Sequence, residues 1–390
     1  MPSESTTNPV HELREKFIRL YGAQPVLVQA PGRVNLIGEH TDYNDGFVMP
    51  GAIQFQTTIG IAPRGDRRLT LLSQNYAEQA EFDLEELPQH ARRHWSDYVV
   101  GVAHKLAEQG IRLPGMNVLL YGDVPQGAGL SSSASLEVAT CLAFLEVSEK
   151  KMEGAAMARL CQRAENEFVG ARCGIMDQFV AVFGRKDHAL LLDCRSLEHQ
   201  YQPLPEGVRL VVCNTMVHHS LAGGGYNQRR KECEAGAHFF STKVPGVKAL
   251  RDVSIEDFER YNAELQEIVR KRCRHVITED ARVIRAAEAL ARGDMRLLGR
   301  LMWESHASLR DDFEVSCREL DAMVELAVKI DGVYGARMTG GGFGGCTINV
   351  VKSDMVEFFQ SKVAAGYELA TGQRPEIYVC TAGDGVRRLA

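Results

Sequence analysis

Apolar residues recur along this chain at two spacings. Leu13, Phe17, Ile18 and Leu20 stand at helical intervals within residues 11–21, which predicts an amphipathic helix. Residues 26–30, 57–62 and 69–72 are short runs rich in Val, Ile, Thr and Leu, and these read as strands. Residues 98–109 read as a helix, and 116–121 (MNVLLY) as a buried strand running into the turn Gly122, Asp123, Val124, Pro125. Beyond a Gly and Ser cluster at 127–133, residues 135–150 place Leu136, Ala139, Leu142, Ala143 and Val147 on one helical face. A strand, a glycine-rich loop and a helix, in that order, form the architecture of an anion site. A second helix is expected over 153–168, then a turn at 170–174, and 188–193 (HALLLD) with 208–214 reads as a pair of strands. Residues 227–326 are mostly helical in period, and from 334 the pattern returns to strand, helix (355–369) and strand (376–380). These patterns place a domain boundary near residue 200, with one domain over 1–200 and another over 201–390.

Composition narrows the class. A chain of 390 residues has room for two to three domains at about 150 residues each. Forty-five basic against fifty-one acidic residues leave a formal charge of -6. Nothing in that balance argues for a nucleic acid or an anionic membrane, so a small or neutral substrate is expected. Ten cysteines are scattered with no CxxC, which removes zinc ribbons and thioredoxin-like motifs and points to buried free thiols in a reducing compartment. The start of the chain lacks the apolar core of a signal peptide and no stretch approaches eighteen apolar residues, so a cytoplasmic location is expected.

Three segments concentrate chemistry. Residues 31–46 (PGRVNLIGEHTDYNDG) pack Arg33, Glu39, His40, Asp42 and Asp45 into a turn-rich stretch after a strand. Such a set suits recognition of hydroxyls, and equally a solvated loop. It is one residue short of an EF-hand loop and lacks the distal Glu. Residues 124–137 (VPQGAGLSSSASLE) bring Gly127 and Gly129, whose backbone allows close approach, together with Ser131, Ser132 and Ser133 ahead of a helix. The pattern fits a phosphate nest or a simple serine cap; with no Gly-Lys dipeptide in the chain it is not a Walker loop. Residues 337–346 (RMTGGGFGGC) match G-x-G-x-x-G, but TINVV follows, a strand where a dinucleotide fingerprint must open a helix. Either a hairpin or a close approach by a ligand or another loop explains the glycines. Glu165, and Asp177 among Ile175, Met176, Phe179 and Val180, are acids whose burial without a partner would cost several kcal/mol. His218 and His219 point to opposite faces if extended and make a poor metal pair.

Together these segments resemble the galactokinases, a family of the GHMP kinase superfamily. The first segment resembles the galactokinase signature, and CGIMDQF, ALLLDCRSLE, ESHASLRDDFEVS and MTGGGFGGC resemble further segments of that family. The resemblance implies an α+β, two-domain fold: an N-terminal α/β domain with a left-handed crossover, a C-terminal α+β domain, and the active site in the cleft between. It implies transfer of the γ-phosphoryl of ATP, with Mg²⁺, to the anomeric hydroxyl of α-D-galactose. By the same resemblance Asp177 and Arg33 are catalytic, and Glu39, His40, Thr41, Asp42 and Tyr226 read the sugar. Gly127, Ala128, Gly129, Leu130, Ser131, Ser132 and Ser133 cradle phosphate, Ser133 and Glu165 hold the metal, and Trp95 lies near adenine. A monomer is expected, with neither nucleic acid nor membrane as partner. Gly224 and Gly225 stand before Tyr226 where the family usually has Ser-Glu. An N-acetylgalactosamine kinase and a non-catalytic galactose and ATP sensor are the competing readings.

Overall fold

The computed structural model describes residues 8–218 and 222–390, and His219 lies outside the described residues. In chain order the elements are α1 (Pro9–Tyr21), β1 (Val26–Asn35), β2 (Phe47–Val48), β3 (Pro50–Pro63), β4 (Arg68–Ser73), β5 (Glu78–Asp83), α2 (Ser96–Glu108), β6 (Met116–Gly122), α3 (Ser132–Val147) and α4 (Gly154–Arg163). A π-helical turn (Ala164–Val169) continues α4, followed by α5 (Met176–Phe183), β7 (His188–Asp193), β8 (His199–Pro203) and β9 (Val208–His218). The rest comprises α6 (Ala222–Lys243), α7 (Ile255–Tyr261), α8 (Glu267–Ala291), α9 (Met295–Asp311), α10 (Arg318–Ala327), β10 (Val333–Thr339), β11 (Gly344–Lys352), α11 (Val356–Thr371), β12 (Glu376–Cys380) and β13 (Arg387–Arg388).

Three sheets organise these elements: β13-β1-β3-β6-β4-β5, β10-β11-β9-β12 and β2-β7-β8. In the first, β4 and β6 pair in parallel while the other pairs are antiparallel. Its inner face carries Val28, Ile59, Leu71 and Val118 against Val99, Val138 and Phe144 of α2 and α3. The second sheet is covered on both faces, and the period of two along β9 decides which side chain goes where. Leu210 and Val212 pack with Val283 and Leu298 of α8 and α9, whereas Val211 and Cys213 pack with Phe359 and Val363 of α11. Residues 188–193 and 208–214 are both strands, as expected, but they lie in different sheets. Strand β7 lies between β2 and β8, and β9 lies in another sheet between β11 and β12, because its apolar alternation is two-sided and needs helices on both faces. The last strand, β13, returns to pair with β1.

The ten cysteines are free thiols, eight of them buried. No helix among the described residues is long and apolar enough to cross a membrane.

Candidate active site

Two adjoining cavities lie around the segments that the sequence singles out. The larger, about 670 Å³, is walled by Trp95, Tyr76, Leu136, Gly127, Ser132 and Ser133 among others. The smaller, about 290 Å³, is walled by Arg33, Glu39, His40, Asp42, Cys173, Gly174, Met176, Asp177, Tyr226 and Gly340 to Gly342.

Between them runs the loop of residues 127–133. Helix α3 begins at Ser132, three residues earlier than its apolar face suggests, and its first intrahelical bond runs from Ser135 N–H to the Ser131 carbonyl. The N–H groups of Ser132, Ser133 and Ala134 therefore have no helical acceptor, and the positive end of the helix dipole lies at the larger cavity. Gly127 and Gly129 take φ of 68° and 69°, and Ser131 is left-handed at 59°, a conformation that costs a β-carbon-bearing residue about 1 kcal/mol or more. Three of the residues expected to cradle phosphate do not line the larger cavity with their side chains. Ala128 and Leu130 turn fully buried side chains into the core with Val34 and Ile37, so only their backbone is available. The Ser131 hydroxyl donates to Asp177 Oδ2, across the seam between the cavities, and not toward the larger one.

Asp177 stands in the first turn of α5, where the helix N-terminus favours an acid. Arg33 grips it with both arms, Nε to Oδ1 at 2.8 Å and Nη2 to Oδ2 at 2.9 Å, and its third arm donates to the Gly129 carbonyl at 2.5 Å. This fork orients the carboxylate and ties it to the phosphate-type loop. Burial would lower the Arg33 pKa, but Asp177 and Glu39 more than offset it, so the guanidinium stays charged.

On the wall of the smaller cavity the groups keep distinct protonation. Burial, reinforced by Asp177, pushes the Asp42 carboxyl up to about 7, against the backbone N–H of Tyr43 donating at 3.0 Å. Burial and neighbouring cations hold His40 well below its ordinary value, so the imidazole is neutral. Its Nδ1 shares a hydrogen bond with the Tyr43 hydroxyl at 2.9 Å, and its buried Nε2 has no partner among the described residues. Burial likewise keeps Tyr226 protonated, with its ring 5.5 Å from that of His40. Tyr226 belongs to the first turns of α6 and not to a loop, and Gly225 before it allows the Phe343 ring to seat there, since a Cβ would meet Phe343 Cζ at 2.6 Å.

Two residues expected to read the sugar are held by hydrogen bonds within the protein. Thr41 is fully buried off the cavity wall, and its hydroxyl is engaged with the carbonyls of Gly38 at 2.9 Å and Phe47 at 2.6 Å, closing the turn. Glu39 reaches the wall, yet its Oε1 accepts from Thr339 Oγ1 at 2.9 Å and Gly340 N–H at 2.8 Å, with Arg337 Nη2 at 3.3 Å. The glycine-rich segment is thus both a hairpin between β10 and β11 and a surface approached by another loop: a Cβ on Gly340 would lie 3.5 Å from the Gly129 carbonyl oxygen.

Glu165 sits on the π-helical turn, a distortion frequent at functional sites. Burial and Asp177 raise its pKa, while hydrogen bonds from Cys173, Ser133 and Gln178 oppose the rise. Ser133 and Glu165 therefore meet at the edge of the larger cavity, and a carboxylate so disfavoured suits a cation. No group of three or more His, Cys, Asp or Glu among the described residues could hold a metal ion alone, so a divalent ion here would lean on phosphate oxygens, as Mg²⁺ does. Cys173, Gly174, Glu137 and Gln178 escaped the sequence reading. The one available signal was Glu137 four positions after Ser133, hence on the same face of α3. In the larger cavity Trp95 stacks on Tyr76 at 6.2 Å between centroids and donates from Nε1 to Glu78 at 3.0 Å.

Family models match along the chain: the galactokinase galactose-binding signature over residues 15–63, the GHMP kinases N terminal domain over 97–185 and the GHMP kinases C terminal over 286–369. The chain is 48% identical over 379 residues to the galactokinase of Roseiflexus sp. (strain RS-1), covering 97% of each chain. The crystal structure of Lactococcus lactis galactokinase complexed with galactose superposes with a TM-score of 0.95 at 36% identity, over 98% of this chain and 100% of that one. Mevalonate kinase from Methanococcus jannaschii shares the fold, with a TM-score of 0.64 at 17% identity over 93% and 99% of the two chains.

Proposed function

Since the chain belongs to the galactokinase family of the GHMP kinases, it is a kinase that phosphorylates galactose from ATP, and we propose that Asp177 receives the proton of the anomeric hydroxyl while Arg33 holds that carboxylate. The observation that carries this reading is the Arg33–Asp177 fork, which stands on the wall of the smaller cavity and is bonded to the loop that walls the larger one. Phosphoryl transfer is loose at its transition state, so the protein's work is alignment and charge stabilisation more than strong proton abstraction. Galactose would occupy the smaller cavity, offering hydroxyls to Asp42 and accepting or donating at the free Nε2 of neutral His40 and at the Tyr226 hydroxyl. ATP would lie in the larger cavity, its phosphates on the N–H groups that open α3 and its base beside Trp95 and Tyr76. Ser133 and Glu165 would hold Mg²⁺, which when bound neutralises charge on the phosphates.

A coupled ADP-release assay over a panel of hexoses tests the assignment. Glucose keeps every hydroxyl but reverses the one at C4, leaving a buried acceptor unpaired. The kcat/KM for galactose should then exceed that for glucose by on the order of 10³, below the 10⁴ to 10⁵ seen when a hydroxyl is missing altogether. Glucose turned over within tenfold of galactose would replace this reading with a broad hexose kinase.

A further inference from the structure

Behind the pair Ser133 and Glu165 lies a polar cluster that the reaction as described does not use. Gln178 follows Asp177 on α5 and is fully buried. Its Nε2 donates to Glu165 Oε2 at 2.6 Å and to Glu137 Oε2 at 3.0 Å. A primary amide has two N–H bonds, so one hydrogen serves each carboxylate and none is left over. Glu137 is also fully buried, and projects from α3 one turn beyond Ser133. The Oε1 atoms of Glu137 and Gln178 are buried without a partner among the described residues. Polar atoms left this way in a core cost about 1–3 kcal/mol each, which an apolar residue would avoid. The arrangement therefore asks for a role that packing alone does not supply.

We propose that Gln178 is a positioning residue that aims the Glu165 carboxylate at the metal, with Glu137 as the second anchor that fixes the rotamer of the amide. Three elements meet at this one amide: α3 through Glu137, the π-helical turn through Glu165, and α5 through Gln178 itself. Cys173 adds a weaker hold, Sγ to Glu165 Oε2 at 3.3 Å, but it also faces Asn166 Oδ1 at 3.2 Å and has one hydrogen to give. Without Gln178 the Glu165 carboxylate keeps the thiol and Ser133 as its remaining donors and can rotate away from the cavity edge. Because Gln178 adjoins Asp177, the same helix that carries the base also sets the position of the carboxylate toward the ion.

The inference rests on the reading of Glu165 as a metal ligand, so the experiment includes Glu165→Ala. Binding of Mn²⁺ with ADP to the full chain is measured by water proton relaxation at saturating ADP, galactose binding by calorimetry without nucleotide, and folding by thermal melting. Gln178→Ala and Gln178→Asn, whose amide is one methylene too short to span both carboxylates, are each expected to weaken Mn²⁺–ADP binding by about 10- to 100-fold, the usual loss when a ligand's supporting hydrogen bond is removed. Galactose affinity should stay within about twofold, and Glu137→Leu should move metal binding in the same direction. Unchanged Mn²⁺–ADP affinity in both folded Gln178 variants would overturn the proposal. So would losses of metal and galactose binding in equal proportion, since a merely structural residue would act on both. If Glu165→Ala itself left Mn²⁺–ADP binding intact, the metal assignment would fall, a different failure from that of Gln178. Should Gln178→Ala not fold, Gln178→Asn with Glu137→Leu decides the question on the same two titrations.

Discussion

Replacing Asp42 by Asn should make the protein more stable and a poorer binder of galactose, with the gain in stability appearing only as pH rises. The carboxyl is pushed from the ordinary 3.8 up to about 7 by burial first and by Asp177 second. Between those two values the native state holds a proton that the unfolded chain releases, so protons bound in the native state exceed those bound in the unfolded state. Stability then falls with increasing pH, and above about 7 the whole difference is lost. A rise of about 3 pH units at 1.36 kcal/mol each sets the cost of the ionised side chain at up to about 4 kcal/mol. Asparagine has nearly the same shape and never ionises. Its stability relative to the parent should therefore be about 1 kcal/mol around pH 4.5, climb through pH 6 and level off by pH 8. Asp280, also pushed up to about 7 by burial, titrates in both proteins and cancels in the difference. Urea denaturation at pH 4.5, 6, 7 and 8 reads the effect directly. Galactose affinity at pH 8 should drop in the variant by roughly tenfold or more, as a charge-assisted hydrogen bond is worth about 1.5–3 kcal/mol. Stability curves that run parallel for the two proteins across this range would refute the argument, since a constant offset cannot come from a titrating group.

Two further substitutions probe the same wall. Asp177→Asn should retain galactose and nucleotide binding while lowering kcat by about 10² to 10⁴, the range for a positioned base, and near-normal turnover in a single-turnover assay would remove Asp177 from that role. Gly174→Ala should raise the KM for galactose with a smaller effect on that for ATP, because the new Cβ would clash with Asp42 Oδ2 and must push that carboxylate out of place; an unchanged galactose KM would show that Asp42 does not read the sugar.

The strand, glycine turn and helix start around residues 116–147 were legible from residues alone because they are local. A strand ending at Gly122, glycines with positive φ and serines opening a helix are features of about thirty consecutive positions, and backbone geometry of that kind follows from nearby sequence. The two-sided burial of β9 was half legible. Residues 208–214 read as a strand, but which partners it would take depended on helices far along the chain. Side-chain roles at the cavity were decided by the tertiary structure. Arg33 meets Asp177 across 144 positions, and Glu39 meets Gly340 across 301, distances over which no periodicity speaks. Thr41 and Asp42 are neighbours of similar polarity, yet one hydroxyl closes a turn inside the core while the adjacent carboxyl faces the cavity. Gln178 looked like any amide beside an acidic residue until the fold brought Glu137 and Glu165 to its two hydrogens. Sequence alone determined which chemistries this chain carries and where its helix ends would accept an anion. Only packing decided which polar atoms keep a free valence for a ligand, because a hydrogen bond is spent on whatever partner the folded chain places within reach.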